Sequence, residues 1–169
     1  MSIYESTAPA FKKTLTYLEK WLNAGAAYAE SKKFDPNVLL SARLAPDQYP
    51  LVRQVQSSCD TAKFTAARLT GREAPKHPDT ETTLDELYTR IHAVYEYLDS
   101  FKEADFSGAE TRRIELQFFG GKHMLGADYV REMQIPNFFF HVTHTYAILR
   151  HNGVPLGKTD FIGGLTLRD

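Results

Sequence analysis

From Ala8 onward the apolar positions Phe11, Leu15, Leu18, Leu22 and Ala26 recur at alternating spacings of four and three, which places them along one side of a helix. Pro9 sits in the first turns, where a missing N–H costs least, and Asp35-Pro36 closes the segment. The spacing predicts a first helix over roughly residues 3–30. A second stripe, Leu51, Val55, Cys59, Ala62, Ala66 and Leu69, opens after Tyr49-Pro50 and is closed by Gly71 as the residue after the C-cap. The segment from Arg72 to Thr80, with Pro75 and Pro78, reads as a loop. Thr83 and Glu86 then stand at capping-box spacing ahead of Leu84, Leu87, Ile91, Val94, Leu98 and Phe101, the third helix.

The period changes after that. Arg113 to Phe118 alternates at two, and Gly120-Gly121 precedes Lys122 to Leu125. This predicts a small β-hairpin, followed by a short helix over Gly126 to Met133. Beyond Pro136, the positions Phe138, His141, Val142, Thr145, Ile148 and Leu149 fall within one arc of a fourth helix that ends at Asn152-Gly153. Four amphipathic segments, each with one apolar stripe to cover, favour an all-α four-helix bundle with a hairpin inserted between helices three and four. It is expected to form one domain over residues 1–169, with Val154 to Asp169 laid over the bundle as an extended strap.

Composition supports a folded globule: the chain of 169 residues is 43% hydrophobic and 24% charged. Its formal charge of −1 supplies no field to gather nucleic acid or anionic lipid, so neither is expected as a partner. The lone cysteine, Cys59, leaves no internal disulfide, which points to a reducing compartment, and no apolar run resembles a signal peptide or membrane span. The expected location is cytoplasmic. Cys59 in an apolar stripe reads as a small buried hydrophobe rather than a nucleophile.

The residues with most chemical promise are His141 and His144, because groups three apart are neighbours on a helix and two imidazoles can ligate one metal. The pair reads either as such ligands or as structural pocket histidines. A catalytic metal needs about three protein ligands, so a further His, Asp or Glu must come from another helix. Helix two carries no histidine and offers Gln54, Ser58 and Asp60 instead. Asp60 is a candidate oxygen ligand or base, against the plainer reading of a solvated or Arg-paired carboxylate. The stretch Gly153 to Thr159 imitates a phosphate-binding P-loop but has one residue too few, follows a helix, and shows no sign of leading into one, so nucleotide binding is rejected. The run Phe138-Phe139-Phe140 must splay around the helix, so Phe139 or Phe140 is expected to face something other than the bundle centre. Tyr88, Tyr95, Tyr97 and Tyr146 are candidates to line a cleft or a subunit seam.

The stretches Gln54-Val55-Gln56, Asp60-Thr61-Ala62-Lys63, Ala67-Arg68-Leu69, Phe140-His141 through Ala147-Ile148-Leu149-Arg150-His151-Asn152-Gly153, and Gly157-Lys158-Thr159-Asp160-Phe161 resemble an uncharacterised bacterial and fungal family, a domain of unknown function in the DinB/YfiT-like superfamily. The likeness covers nearly the whole chain. It implies a four-helix bundle, commonly a homodimer, and a divalent metal such as Zn, Ni, Mn or Fe held by one histidine of helix two and a His-x-x-x-His pair of the last long helix. Members include thiol-dependent transferases and hydrolases. This sequence departs from that pattern: helix two lacks the histidine, and His141 and His144 are three apart. The expectation is a degenerate metal or small-molecule site between helices at His141 and His144, lined by Asp60, Tyr146 and Asp160. An enzyme here would be a metal-dependent hydrolase or transferase; the alternative is a non-catalytic dimeric interaction or stress-associated protein.

Overall fold

A computed structural model describes residues 2–168. The four long helices are α2 (Ala8–Lys32), α3 (Leu51–Thr70), α4 (Leu84–Asp99) and α6 (Ile135–His151), with α1 (Ile3–Ser6) before them, α5 (Gly126–Asp128) ahead of the last, and α7 (Lys158–Ile162) in the tail. A two-stranded antiparallel hairpin, β1 (Arg113–Ile114) with β2 (Met124–Leu125), lies between α4 and α6. The class is therefore all-α with a small hairpin between the third and fourth long helices.

The stripes meet as their spacing requires. Phe11, Leu15, Leu18 and Leu22 of α2, Leu51, Val55, Cys59 and Leu69 of α3, Leu87, Ile91 and Val94 of α4, and Phe138, Val142 and Ile148 of α6 are buried in one hydrophobic cluster. The Phe11 and Phe138 rings stack at 4.2 Å, joining α2 to α6. Burial of such side chains contributes roughly 1.5–3 kcal/mol each. α3 begins and ends where the sequence placed it, with Pro50 as N-cap and Gly71 left-handed at φ 79°. α4 carries the Thr83–Glu86 capping box but stops at Asp99, two residues before Phe101.

Four expectations need correction. The first helix is broken at Thr7, whose backbone (φ −121°, ψ −87°) is not helical, and it runs on to Lys32, where Lys33 adopts a left-handed cap. Pro9 lacks the N–H that would have bonded back across that break. The hairpin is shorter than its alternating pattern, because Gln117–Phe119 turns into a 3-10 segment. The short helix after it does not end at Met133: α5 runs into a π-helical turn, Tyr129–Gln134, and on into α6. Pro136 explains the wide turn, since it cannot donate to the carbonyl four residues back and its ring presses on that turn.

The tail is not wholly extended either. It forms α7, so the Gly153 to Thr159 stretch does lead into a helix, although one of five residues. Its first free N–H, on Gly157, is taken by the Asp160 carboxylate at 2.7 Å. Beyond it the strap passes so tightly over Tyr17 that a Cβ on Gly163, at φ +68°, would lie 2.2 Å from the ring. The end of the proposed strap, Asp169, lies outside the described residues.

Candidate functional site

α3 and α6 run antiparallel and are joined by a ladder of buried polar pairs rather than by hydrocarbon alone. Gln54 Oε1 lies 2.8 Å from His141 Nδ1, Asn137 Nδ2 donates to Thr61 Oγ1 at 2.8 Å, and Thr65 Oγ1 donates to Gln134 Oε1 at 3.0 Å. On α3 the rungs are seven and four residues apart, on the other side four and three, so each set follows one helix face. The π-helical turn supplies the last rung by rotating Gln134 onto the seam.

The ladder orients His141. Gln54 Nε2 donates to the Tyr49 carbonyl at 3.2 Å, which turns Oε1 toward the imidazole and makes His141 Nδ1 the protonated nitrogen. Nε2 is left with its lone pair. The ring is 8% exposed and stacks against Tyr49 at 14° between planes. Burial, with smaller contributions from His144 and Arg53, pushes its pKa down to about 4. At neutral pH His141 is therefore an uncharged hydrogen-bond acceptor at Nε2.

Beside this ring lies a cavity of about 280 Å³ between α3 and α6, walled by Tyr49, Arg53, Asp60, Arg68, Asn137 and His141 among others. Asp60 belongs to a second feature missed by periodicity, a buried ionic network. Its carboxylate meets Lys63 at 2.8 Å and Arg90 at 2.6 Å. Arg90, 3% exposed, also reaches Asp79 and Glu81 at 2.9 Å each. Arg53 pairs with Asp79, and Gln56 donates to Glu81. Lys63, 2% exposed, donates to His77 Nδ1 at 3.0 Å. Burial and the nearby Lys63 and Arg90 charges hold the His77 pKa below its ordinary value. The network thus fastens the loop between α3 and α4 against both helices.

The remaining candidates are dispersed. His144 is half-buried, donates Nδ1–H to the Phe140 carbonyl at 2.7 Å, leans on the Phe140 ring, and does not line the cavity. Tyr146 and Asp160 sit on another side of the bundle: Tyr146 meets Trp21 and Phe161 edge-on, and the Asp160 carbonyl accepts from Trp21 Nε1 at 3.1 Å. Cys59 is buried among hydrocarbon, which pushes its thiol up to about 12. Tyr95 donates its hydroxyl to Glu19, whereas the buried hydroxyls of Tyr88 and Tyr97 have no partner among the described residues.

A divalent metal does not fit these donors. His141 Nε2 is a free nitrogen donor, but the α3 side chain facing that ring is an amide already hydrogen-bonded to it, and the carboxylate in the cavity wall is held by two buried cations. Among the described residues no group of three or more His, Cys, Asp and Glu side chains could hold a metal ion.

The described residues form a bundle of four long helices with a small hairpin between the third and fourth. In agreement, a crystal structure of a DinB family member from Shewanella denitrificans superposes with a TM-score of 0.96 at 48% identity, covering 99% of this chain and 95% of that one. The model of the family DUF1993, a domain of unknown function, matches residues 3–162, and the chain belongs to that family. No curated protein matches it. No helix among the described residues is long and apolar enough to cross a membrane.

Proposed function

We propose that the cavity between α3 and α6 binds a small polar molecule against His141, with Nε2 accepting a proton or hydrogen bond from it. The observation that carries this reading is the Gln54–His141 pair, in which a buried, uncharged imidazole is fixed in one tautomer with its lone pair unspent. The cavity beside the ring is large enough for a ligand of a few carbons, and its wall mixes charged and neutral hydrogen-bonding groups.

The test is a screen of small polar compounds, charged and neutral, read on the His141 ring signals by NMR. Compounds that shift those signals in the wild type and bind the His141→Asn variant about tenfold or more weakly by calorimetry support the reading; no such compound in a broad library overturns it. Metal analysis of untagged protein decides the metal-dependent hydrolase or transferase reading. One equivalent of Zn, Ni, Mn or Fe, lost in the His141→Ala/His144→Ala variant, would establish a metal centre and displace the proposal.

A second reading, a non-catalytic dimer, is favoured by the exposure of Phe139 (41%) and Phe140 (51%) side by side on α6. It is compatible with the first, because neither ring lines the His141 cavity, although the Phe140 ring meets the His141 ring edge-on at 5.2 Å.

A further inference from the structure

The arginines near the cavity differ in one respect. Arg90 is saturated by Asp60, Asp79 and Glu81, and Arg53 is paired with Asp79. Arg68 has no carboxylate within ion-pair distance among the described residues. One of its N–H groups, on Nη1, donates to the Tyr129 hydroxyl at 2.7 Å, and its guanidinium lies over the Phe64 ring at 5.0 Å. Tyr129 is itself fully buried at the start of the π-helical turn, so the guanidinium is held from one edge and one face. Its remaining N–H donors stay available. An arginine fixed in this way has already lost much of the side-chain entropy that binding would cost.

Arg68 also stands at a junction. The His141 cavity shares Asp60, Phe64 and Arg68 with a neighbouring cavity of about 540 Å³ under the loop that follows α3, whose wall adds Lys63, Lys76, His77 and Glu73. Across the two walls the cations are Arg53, Lys63, Arg68 and Lys76, against only Asp60 and Glu73. Arg53 is spent on Asp79 and Lys63 on Asp60, so the charges left over in the two walls are Arg68 and Lys76 against the exposed Glu73. On a chain of formal charge −1 this is a local positive region. It repels a metal cation and attracts an anion.

We infer that the junction of the two cavities takes a small organic anion, a carboxylate or phosphate monoester, anchored by Arg68. The inference rests on the reading of the cavity as a binding site and names what it binds. The planar guanidinium offers paired donors to an oxyanion, and Lys76 in the wall of the adjoining cavity adds a second positive charge.

The experiment titrates lactate, malate and glycerol 3-phosphate, each beside its uncharged counterpart lactamide, malamide or glycerol, into protein labelled on histidine and arginine side chains. At concentrations up to about 20 mM, at least one anion should shift the His77 ring and Arg68 Nε–H signals together, the two side chains sharing one cavity wall, and its counterpart should bind about tenfold or more weakly. Arg68→Gln should lose that binding, and Arg68→Lys should recover part of it. Tyr129→Phe removes the tether while keeping the charge, and should weaken binding by only about two- to fivefold. Should Arg68→Gln fail to fold, the Arg68→Lys and Tyr129→Phe series still decides the matter. An uncharged compound binding as tightly as its anion, or an Arg68 variant binding unchanged, overturns the anchor while leaving the His141 cavity standing. Silence from all three anions overturns the assigned ligand class, and the broader screen then judges the cavity separately.

Discussion

The carbonyl oxygen of Gln54 and Nδ1 of His141, 87 residues apart in sequence, lie 2.8 Å from each other at the seam of α3 and α6. The pair sets both the tautomer and the charge of the imidazole. A carboxylate in place of the amide would stabilise the imidazolium. Gln54→Glu should therefore raise the His141 pKa from about 4 by about two units or more, as read from the ring signals. Gln54→Leu should leave the ring neutral but release its tautomer, with Nδ1–H and Nε2–H forms both visible.

Stability should fall on mild acidification for a related reason. A histidine whose folded pKa is below its unfolded value near 6.5 binds more protons when unfolded, so its contribution is present above pH 6.5 and is lost as pH falls toward about 4. His77 is shifted in the same direction. For His141 the loss approaches roughly 3 kcal/mol by the low end of that window. Urea denaturation at pH 7 and pH 4.5 should show it, and His141→Asn should flatten the dependence. The same slope in the variant would remove the assignment.

The ionic network makes a sharper mutational claim. Arg90 is the buried cation on which Asp60, Asp79 and Glu81 converge, so Arg90→Met leaves carboxylates without their common partner. A loss of about 3 kcal/mol is expected in equilibrium unfolding, with faster proteolysis of the loop between α3 and α4. Asp60→Asn keeps a hydrogen-bonding group against Arg90 and Lys63 and should cost less.

Gly126 tests how the hairpin is seated. A Cβ there would lie 1.9 Å from the backbone oxygen of Ala109, an atom that cannot swing aside as a side chain can. Gly126→Ala should destabilise by about 2 kcal/mol through displacement of the segment before α5, measurable by thermal unfolding.

Oligomeric state follows from the exposed aromatic pair. If Phe139 and Phe140 form a contact between copies, Phe139→Ser or Phe140→Ser shifts the sedimentation mass toward the monomer. Unchanged mass in both variants would leave the dimer reading without its support.

The bundle was legible because heptad-like spacing of Phe11, Leu15, Leu18 and Leu22, and of its counterparts on the other helices, has few solutions other than mutual burial. The break at Thr7 and the turn of α7 were not, because they depend on one missing proline N–H and on a carboxylate capping its own short helix. The polar ladder did leave a trace: Gln54, Thr61 and Thr65 fall on one side of α3, as His141 and Asn137 do on α6 with Gln134 in the turn before it, but nothing in either segment alone says that the two sets face each other. Asp60 meets Arg90, as the plainer of its two sequence readings allows, whereas the positions of Tyr146 and Asp160 depend on the path of the tail, which no spacing in the sequence sets.

The most direct measurement is the ring spectrum of His141 in histidine-labelled protein, followed from pH 8 to pH 4 (a range chosen to bracket the shifted value). The account predicts a neutral ring with the proton on Nδ1 and an unprotonated Nε2 that persists until about pH 4. A ring that titrates near 6.5, or carries its proton on Nε2 at neutral pH, would contradict it.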